Sequence, residues 1–79
     1  MNELISILLS IKTETGMREF LLGLLTPKEI EELPKRIQIV KMLKKGIPHH
    51  TIAEKLGVGV ATVTRGSKEI QRGKFSIIA

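Results

Sequence analysis

Residues 52–65 read Ile52-Ala53-Glu54-Lys55-Leu56-Gly57-Val58-Gly59-Val60-Ala61-Thr62-Val63-Thr64-Arg65, two helical patterns joined across Gly57-Val58-Gly59. The spacing is that of a helix-turn-helix. A small residue such as Ala53 is needed where two helices cross closely, and Gly57 permits the positive φ of a tight turn. Apolar Ile52, Leu56, Val58 and Val63 are placed to pin the two helices at a wide angle.

Outward from this stretch the chain continues to read as helix, and no window shows the alternation of a half-buried strand. The expectation is an all-α fold, a small helical bundle carrying the helix-turn-helix. On the C-terminal side the second motif helix runs through Lys68, Glu69 and Ile70 to about Arg72, with Gly73 as its stop. The tail, Lys74 to Ala79, is apolar and too short to classify. On the N-terminal side Ile47 to Leu56 is helical in its latter part, after the stop expected at Gly46. Before that, Ile37, Ile39, Val40, Met42 and Leu43 form an apolar stripe, with Lys35, Arg36, Lys41, Lys44 and Lys45 on the other side.

Thr26-Pro27-Lys28-Glu29 is a capping box with proline at the first helical position. Pro34 then either begins a new helix or kinks this one. An earlier helix carries Met17, Phe20, Leu21, Leu24 and Leu25, with Gly23 as an awkward interior residue and Thr13 to Gly16 as a joint before it. The first helix, with Asn2 as its expected cap, has Leu4, Ile5, Ile7, Leu8, Leu9 and Ile11 around most of its circumference. Such a helix needs cover.

The chain has 79 residues, no Cys, no Trp, no Tyr and two Phe. A chain of this size buries only about 60% of its unfolded surface, so it needs reinforcement. Without Cys neither a disulfide nor a thiolate zinc site can supply it, which leaves a partner subunit. The apolar run from Leu4 to Ile11 is too short for a membrane span and lacks the flanks of a signal peptide, so a cytoplasmic location is expected. Charge is unevenly placed. Residues 1–34 hold Lys12, Arg18 and Lys28 against six Glu, whereas residues 35–79 hold ten Lys and Arg against Glu54 and Glu69, giving −3 and +8 of the net +5. The second half is suited to a polyanion. The scarcity of aromatics argues against a single-strand stacking platform and in favour of duplex DNA.

Three stretches carry a family resemblance: Leu24-Leu25-Thr26-Pro27-Lys28-Glu29, Arg36-Ile37-Gln38-Ile39-Val40, and Gly59-Val60-Ala61-Thr62-Val63-Thr64-Arg65-Gly66-Ser67. Together they resemble the Trp repressor family, over about residues 20–70. The first helix and the spacing from Gly46 to Gly57 look more like the small bacterial Trp-repressor-like proteins. The resemblance implies an intertwined all-helical homodimer with one helix-turn-helix per subunit, reading half-sites roughly 34 Å apart. It also implies one domain over 1–79, divided into a dimerisation core at 1–46, the helix-turn-helix at 47–72 and a tail at 73–79. The family continues with another dimer-forming helix, where here only Phe75, Ile77 and Ile78 are present to pack as an arm.

The expected function is sequence-specific binding of duplex DNA as a transcriptional regulator, in the sense of a repressor. Gly59, Val60, Ala61, Thr62 and Thr64 would enter the major groove, where small and hydroxyl side chains allow close approach and base contact. Lys55, Arg65 and Lys68 would hold phosphates, and His49 and His50 fall where backbone contact is plausible. Adjacent histidines point to different sides of a helix and no third ligand is near, so no metal is expected. L-tryptophan is the corepressor that the resemblance implies, with another small effector as the alternative. Carried over by position, its residues become Thr26, Arg36, Arg65 and Gly66. Two arginines can sandwich an indole while one pairs the carboxylate. The sequence departs from the family at Gly23, where a leucine lies near the indole, and at Glu69, where a serine lies near the ammonium. Glu69 could itself pair an ammonium.

A second function class is a helical protein-protein assembly module, using the first helix and the tail, without sequence-specific DNA binding. An enzyme is not expected: there is no nucleophile with a positioned base, no Gly-rich phosphate loop and no paired carboxylates.

Overall fold

The computed structural model describes residues 1–79 and is helical throughout, with no strand. Its helices are α1 (Asn2–Ser10), α2 (Glu14–Leu24), α3 (Pro27–Lys44), α4 (His49–Leu56) and α5 (Val60–Gln71). The chain divides into two compact units, Met1–Glu31 and Glu32–Ala79, with the boundary inside α3. No helix is long and apolar enough to cross a membrane.

In the first unit the cap of α1 differs from expectation. Met1 is the N-cap and Asn2 is already helical, because the Met1 carbonyl accepts the first helical bond from Ile5 N–H at 3.1 Å. No residue of α1 is buried; Leu9 is 73% exposed and only Leu8 is half-buried. The expected joint at Thr13 to Gly16 is a cap instead. Thr13 Oγ1 accepts from Gly16 N–H at 3.0 Å, so α2 begins at Glu14. A Cβ on residue 16 would lie 2.9 Å from that hydroxyl, so the small residue lets the cap close. The capping box before α3 forms in both directions: Thr26 N–H donates to Glu29 Oε1 at 2.8 Å, and Glu29 N–H to Thr26 Oγ1 at 3.2 Å.

Pro34 lies within α3, which neither ends nor restarts there. The missing N–H forfeits one bond, to the carbonyl four residues back, and Pro34 itself is exposed. In the second unit α3 turns Ile39 and Val40 inward and leaves Ile37 47% exposed. It ends in a Schellman arrangement, with Gly46 N–H bonded to Leu43 O and Ile47 N–H to Met42 O.

The core joins α3, α4 and α5 through Ile39, Ile52, Ala53 and Val63, flanked by Met42, Leu43, Ile47, Leu56 and Val58. Ile52 and Val63 have no exposure at all. Full burial of side chains of this size stabilises by about 1.5–3 kcal/mol each, and these two fix α5 against α4. Gly57 closes α4 in the left-handed region, at φ 65° and ψ 38°, and Val58 N–H returns to Ala53 O at 3.0 Å. That turn sets the direction of α5. Gly66 lets α5 approach α3, since a Cβ there would lie 3.3 Å from Ile39 Cγ2 and 3.5 Å from Leu43 Cδ1.

Candidate DNA-reading face and effector cleft

Helical periodicity divides α5 into two working faces. Val60, Ala61, Thr64, Arg65, Lys68, Glu69 and Arg72 line an open concavity. Gly59, Val60, Ala61, Thr62, Arg65 and Lys68 are exposed, as is Lys55 on α4. The open face of α5 therefore combines small side chains at its start with cations farther along. A small-residue start allows a helix to approach base edges, and the cations suit phosphates.

Thr64 differs from its neighbours in being half-buried. Its Oγ1 lies 3.5 Å from His49 Nδ1, so the first turn of α4 limits how that hydroxyl can turn. His49 is half-buried by this contact, whereas His50 is exposed. The two histidines thus differ, one facing α5 and one facing water.

A second side of α5, which shares Arg65 and Glu69 with the first, looks at α3. Thr62, Arg65, Gly66 and Glu69 follow the i, i+3, i+4, i+7 pattern and line a cleft of about 360 Å³ with Arg36, Ile39, Val40 and Phe75. Four of the five residues that the sequence suggests for an effector, Arg36, Arg65, Gly66 and Glu69, meet here. Thr26 belongs to the first unit, where it is the cap of α3. A neighbouring cleft of about 260 Å³ shares Arg36, Ile39 and Thr62 and reaches Gly57, Val58 and Gly59 in the turn. Thr62, expected beside the groove-entering residues, therefore also lines both clefts against α3.

Chemically the larger cleft is amphoteric. Arg36 and Arg65 bring two guanidinium groups, Glu69 a carboxylate, and Ile39 and Val40 a buried apolar floor. Arg72 donates from Nη1 to Glu69 Oε1 at 2.8 Å, which holds the carboxylate in place on the wall. Such a set matches a zwitterion with an apolar part. Phe75 and the Ile39 and Val40 floor are not among the residues expected here from the sequence. The floor could have been found from the spacing of Arg36, Ile39 and Val40 on one side of α3; Phe75 has no periodic signal.

Comparison with known proteins bears on the chain as a whole. The chain is 49% identical over 49 residues to a Trp operon repressor homolog of Vibrio vulnificus, covering 61% of this chain and 48% of that one. It is 41% identical over 66 residues to the homolog of Vibrio parahaemolyticus, 81% of this chain and 64% of the other. The homolog of Actinobacillus succinogenes is 38% identical over 71 residues, 89% of this chain and 70% of its own length. The chain thus spans about half the length of some of the relatives it matches. No solved structure gives a significant match. The family model described as Trp repressor protein matches residues 1–77, nearly the whole chain, and with the relatives it shows that this chain belongs to the Trp repressor family.

Proposed function

We propose that the chain is a homodimeric transcriptional repressor that binds duplex DNA by sequence and answers to a small effector, with L-tryptophan as the first candidate. The observation that carries this reading is the double use of α5: one face is open, small and basic, and the other lines an amphoteric cleft against α3. A ligand seated in the cleft bears on the same helix that would enter the groove. It shifts DNA affinity to the extent that it binds the docked and undocked positions of α5 unequally.

In this reading Val60, Ala61 and Thr64 face base edges, while Lys55, Arg65 and Lys68, with His49 and His50 at the start of α4, lie toward the backbone. Gly59 and Thr62 shape the turn side of the helix. Arg36 and Arg65 take the effector's carboxylate and ring, Glu69 its ammonium, and Gly66 admits it between the helices; Thr26 is retained as a candidate from the family pattern alone. The exposed apolar surface of α1 is covered by a second copy, so residues 1–46 act as the dimerisation core and 47–72 as the reading head. The names of the relatives as Trp operon repressor homologs support repression over activation. In this role the protein carries out no reaction of its own and works in the cytoplasm, with the DNA.

Two titrations test it. The chain contains no Trp and no Tyr, so protein added to L-tryptophan reports through the ligand's indole emission alone. A saturable shift with one site per subunit is expected, and an unchanged spectrum at millimolar ligand removes tryptophan as effector. On DNA, Thr64→Ala is expected to weaken the preferred duplex more than a random one. Lys68→Ala should weaken both and reduce the salt slope by about one. Equal losses for Thr64→Ala on both duplexes would take Thr64 out of base reading.

A further inference from the structure

Glu69 belongs to both working faces of α5: it lines the cleft with Arg36 and Arg65, and it lines the open concavity with Thr64, Lys68 and Arg72. It is the only acidic residue from Gly57 to Ala79, so it stands alone among the cations of the DNA-reading face. Val60, Thr64, Lys68 and Arg72 recur at every fourth residue and follow one ridge of α5. Arg72 ends that ridge, and the carboxylate holds its guanidinium back: Nη1 donates to Glu69 Oε1 at 2.8 Å. The pair is unevenly built. The Glu69 side chain is 25% exposed and that of Arg72 67% exposed, so the carboxylate is largely covered while the arginine lies mostly in water. An ion pair with so exposed a partner is weakly held and exchanges readily for a competing charge.

From this arrangement we infer that Glu69 is an electrostatic brake on DNA binding, which keeps Arg72 off the phosphate backbone, and that a ligand ammonium pairing with Glu69 in the cleft releases it. The release rests on the proposed amino-acid site and adds the route by which an occupied cleft reaches DNA; the brake itself needs no ligand. A carboxylate neutralised from the cleft side no longer repels phosphates and no longer holds Arg72. The freed guanidinium then takes a phosphate, for which its fork of donors is suited. By linkage, duplex DNA that draws Arg72 away raises the affinity of the cleft for the ammonium. The gain is one phosphate contact per subunit, and it is the same on every sequence because the backbone carries no base information. Each such contact adds about 0.9 to the slope of log affinity against log salt, so a fourfold rise in salt costs about 3.5-fold more affinity for each contact made.

The test measures duplex binding across a salt series for the full chain, Glu69→Gln, Arg72→Gln and the double variant, first without ligand. Glu69→Gln should bind a preferred and a random duplex more tightly and steepen the salt slope by about one per subunit. Arg72→Gln should lower the slope by about one per subunit in the Glu69→Gln background and by less than half of that in the original chain. A role in stability alone would change helix content by circular dichroism and leave the slope where it was. L-Tryptophan is then added to the level at which its indole emission change saturates. The slope of the unsubstituted chain should steepen by about one per subunit, and that of Arg72→Gln, whose side chain does not line the cleft, should not. An unchanged slope in Glu69→Gln, or equal effects of Arg72→Gln in both backgrounds, overturns the brake and leaves the cleft reading standing. A saturable emission change without steepening overturns the release by ligand. No emission change at all overturns the cleft reading and the release with it, while the ligand-free variants still decide the brake.

Discussion

Replacing Gly57 and Gly23 separately by alanine should move stability in opposite directions, although the chemical change is the same. At both positions an added Cβ meets nothing within 4 Å, so neither sterics nor new packing enters the comparison. What differs is the backbone. Gly57 sits at φ 65°, where a Cβ crowds the following carbonyl oxygen at a cost of about 1–2 kcal/mol. Part of that is offset because alanine has less freedom than glycine to lose on folding, about 0.4–1 kcal/mol. A net loss of about 1 kcal/mol follows for Gly57→Ala. Gly23 is inside α2, in helical conformation, where alanine is the better residue by about 0.5–1 kcal/mol. The two variants should therefore differ by about 1.5–2 kcal/mol, a Tm separation on the order of 10 °C for a domain of this size. Thermal and urea denaturation followed by circular dichroism, at one fixed protein concentration because an oligomer's stability depends on it, measures both. Two shifts of the same sign would refute the assignment of Gly57 as a left-handed turn residue, and with it the turn that orients α5.

Thr26→Ala removes the hydroxyl that accepts from Glu29 N–H and should cost about 1 kcal/mol in the same denaturation experiment, with Thr26→Ser close to the unsubstituted value. An alanine variant as stable as the original would show that Pro27 and the Glu29 carboxylate suffice to start α3. Leu9→Lys alters a side chain that is 73% exposed, so it should leave helix content intact while, in the proposed homodimer, shifting sedimentation from dimer to monomer. A dimer that persists unchanged would place Leu9 outside the subunit contact.

The helix-turn-helix was legible because its signals are local and mutually consistent. Ile52, Ala53 and Val63 recur at helical spacing and Gly57 stands where the chain must turn, and these are the residues the fold buries and bends. Thr26-Pro27-Lys28-Glu29 was legible for the same reason, since each partner of the cap lies within four residues of the other. Thr13 was less so: its partner is a glycine N–H with no reciprocal carboxylate, and Gly16 reads more readily as a joint than as the third residue of a helix. Asn2 was misplaced by one position because Met1 can also offer a carbonyl to the first turn. Within α3, sequence alone left Pro34 undecided between a break and an interior position, because the cost of one lost bond depends on whether water reaches the freed carbonyl. In the candidate site Arg36, Arg65, Gly66 and Glu69 came from family pattern, and the α5 members share one helical face. Phe75 was not legible there. Its placement depends on the reversal at Gly73 and on Lys44, thirty-one residues earlier in the chain, and no short-range pattern encodes that pairing.

The decisive experiment is selection of the protein's preferred duplex from a pool of random sequence, repeated with and without L-tryptophan. Enrichment of two-fold symmetric sites whose half-sites are centred roughly 34 Å apart is expected, and it should be lost as salt rises. Recovery of random sequence alone, or absence of any binding even at low salt, would contradict sequence-specific DNA binding and would favour an assembly role for the exposed apolar helix.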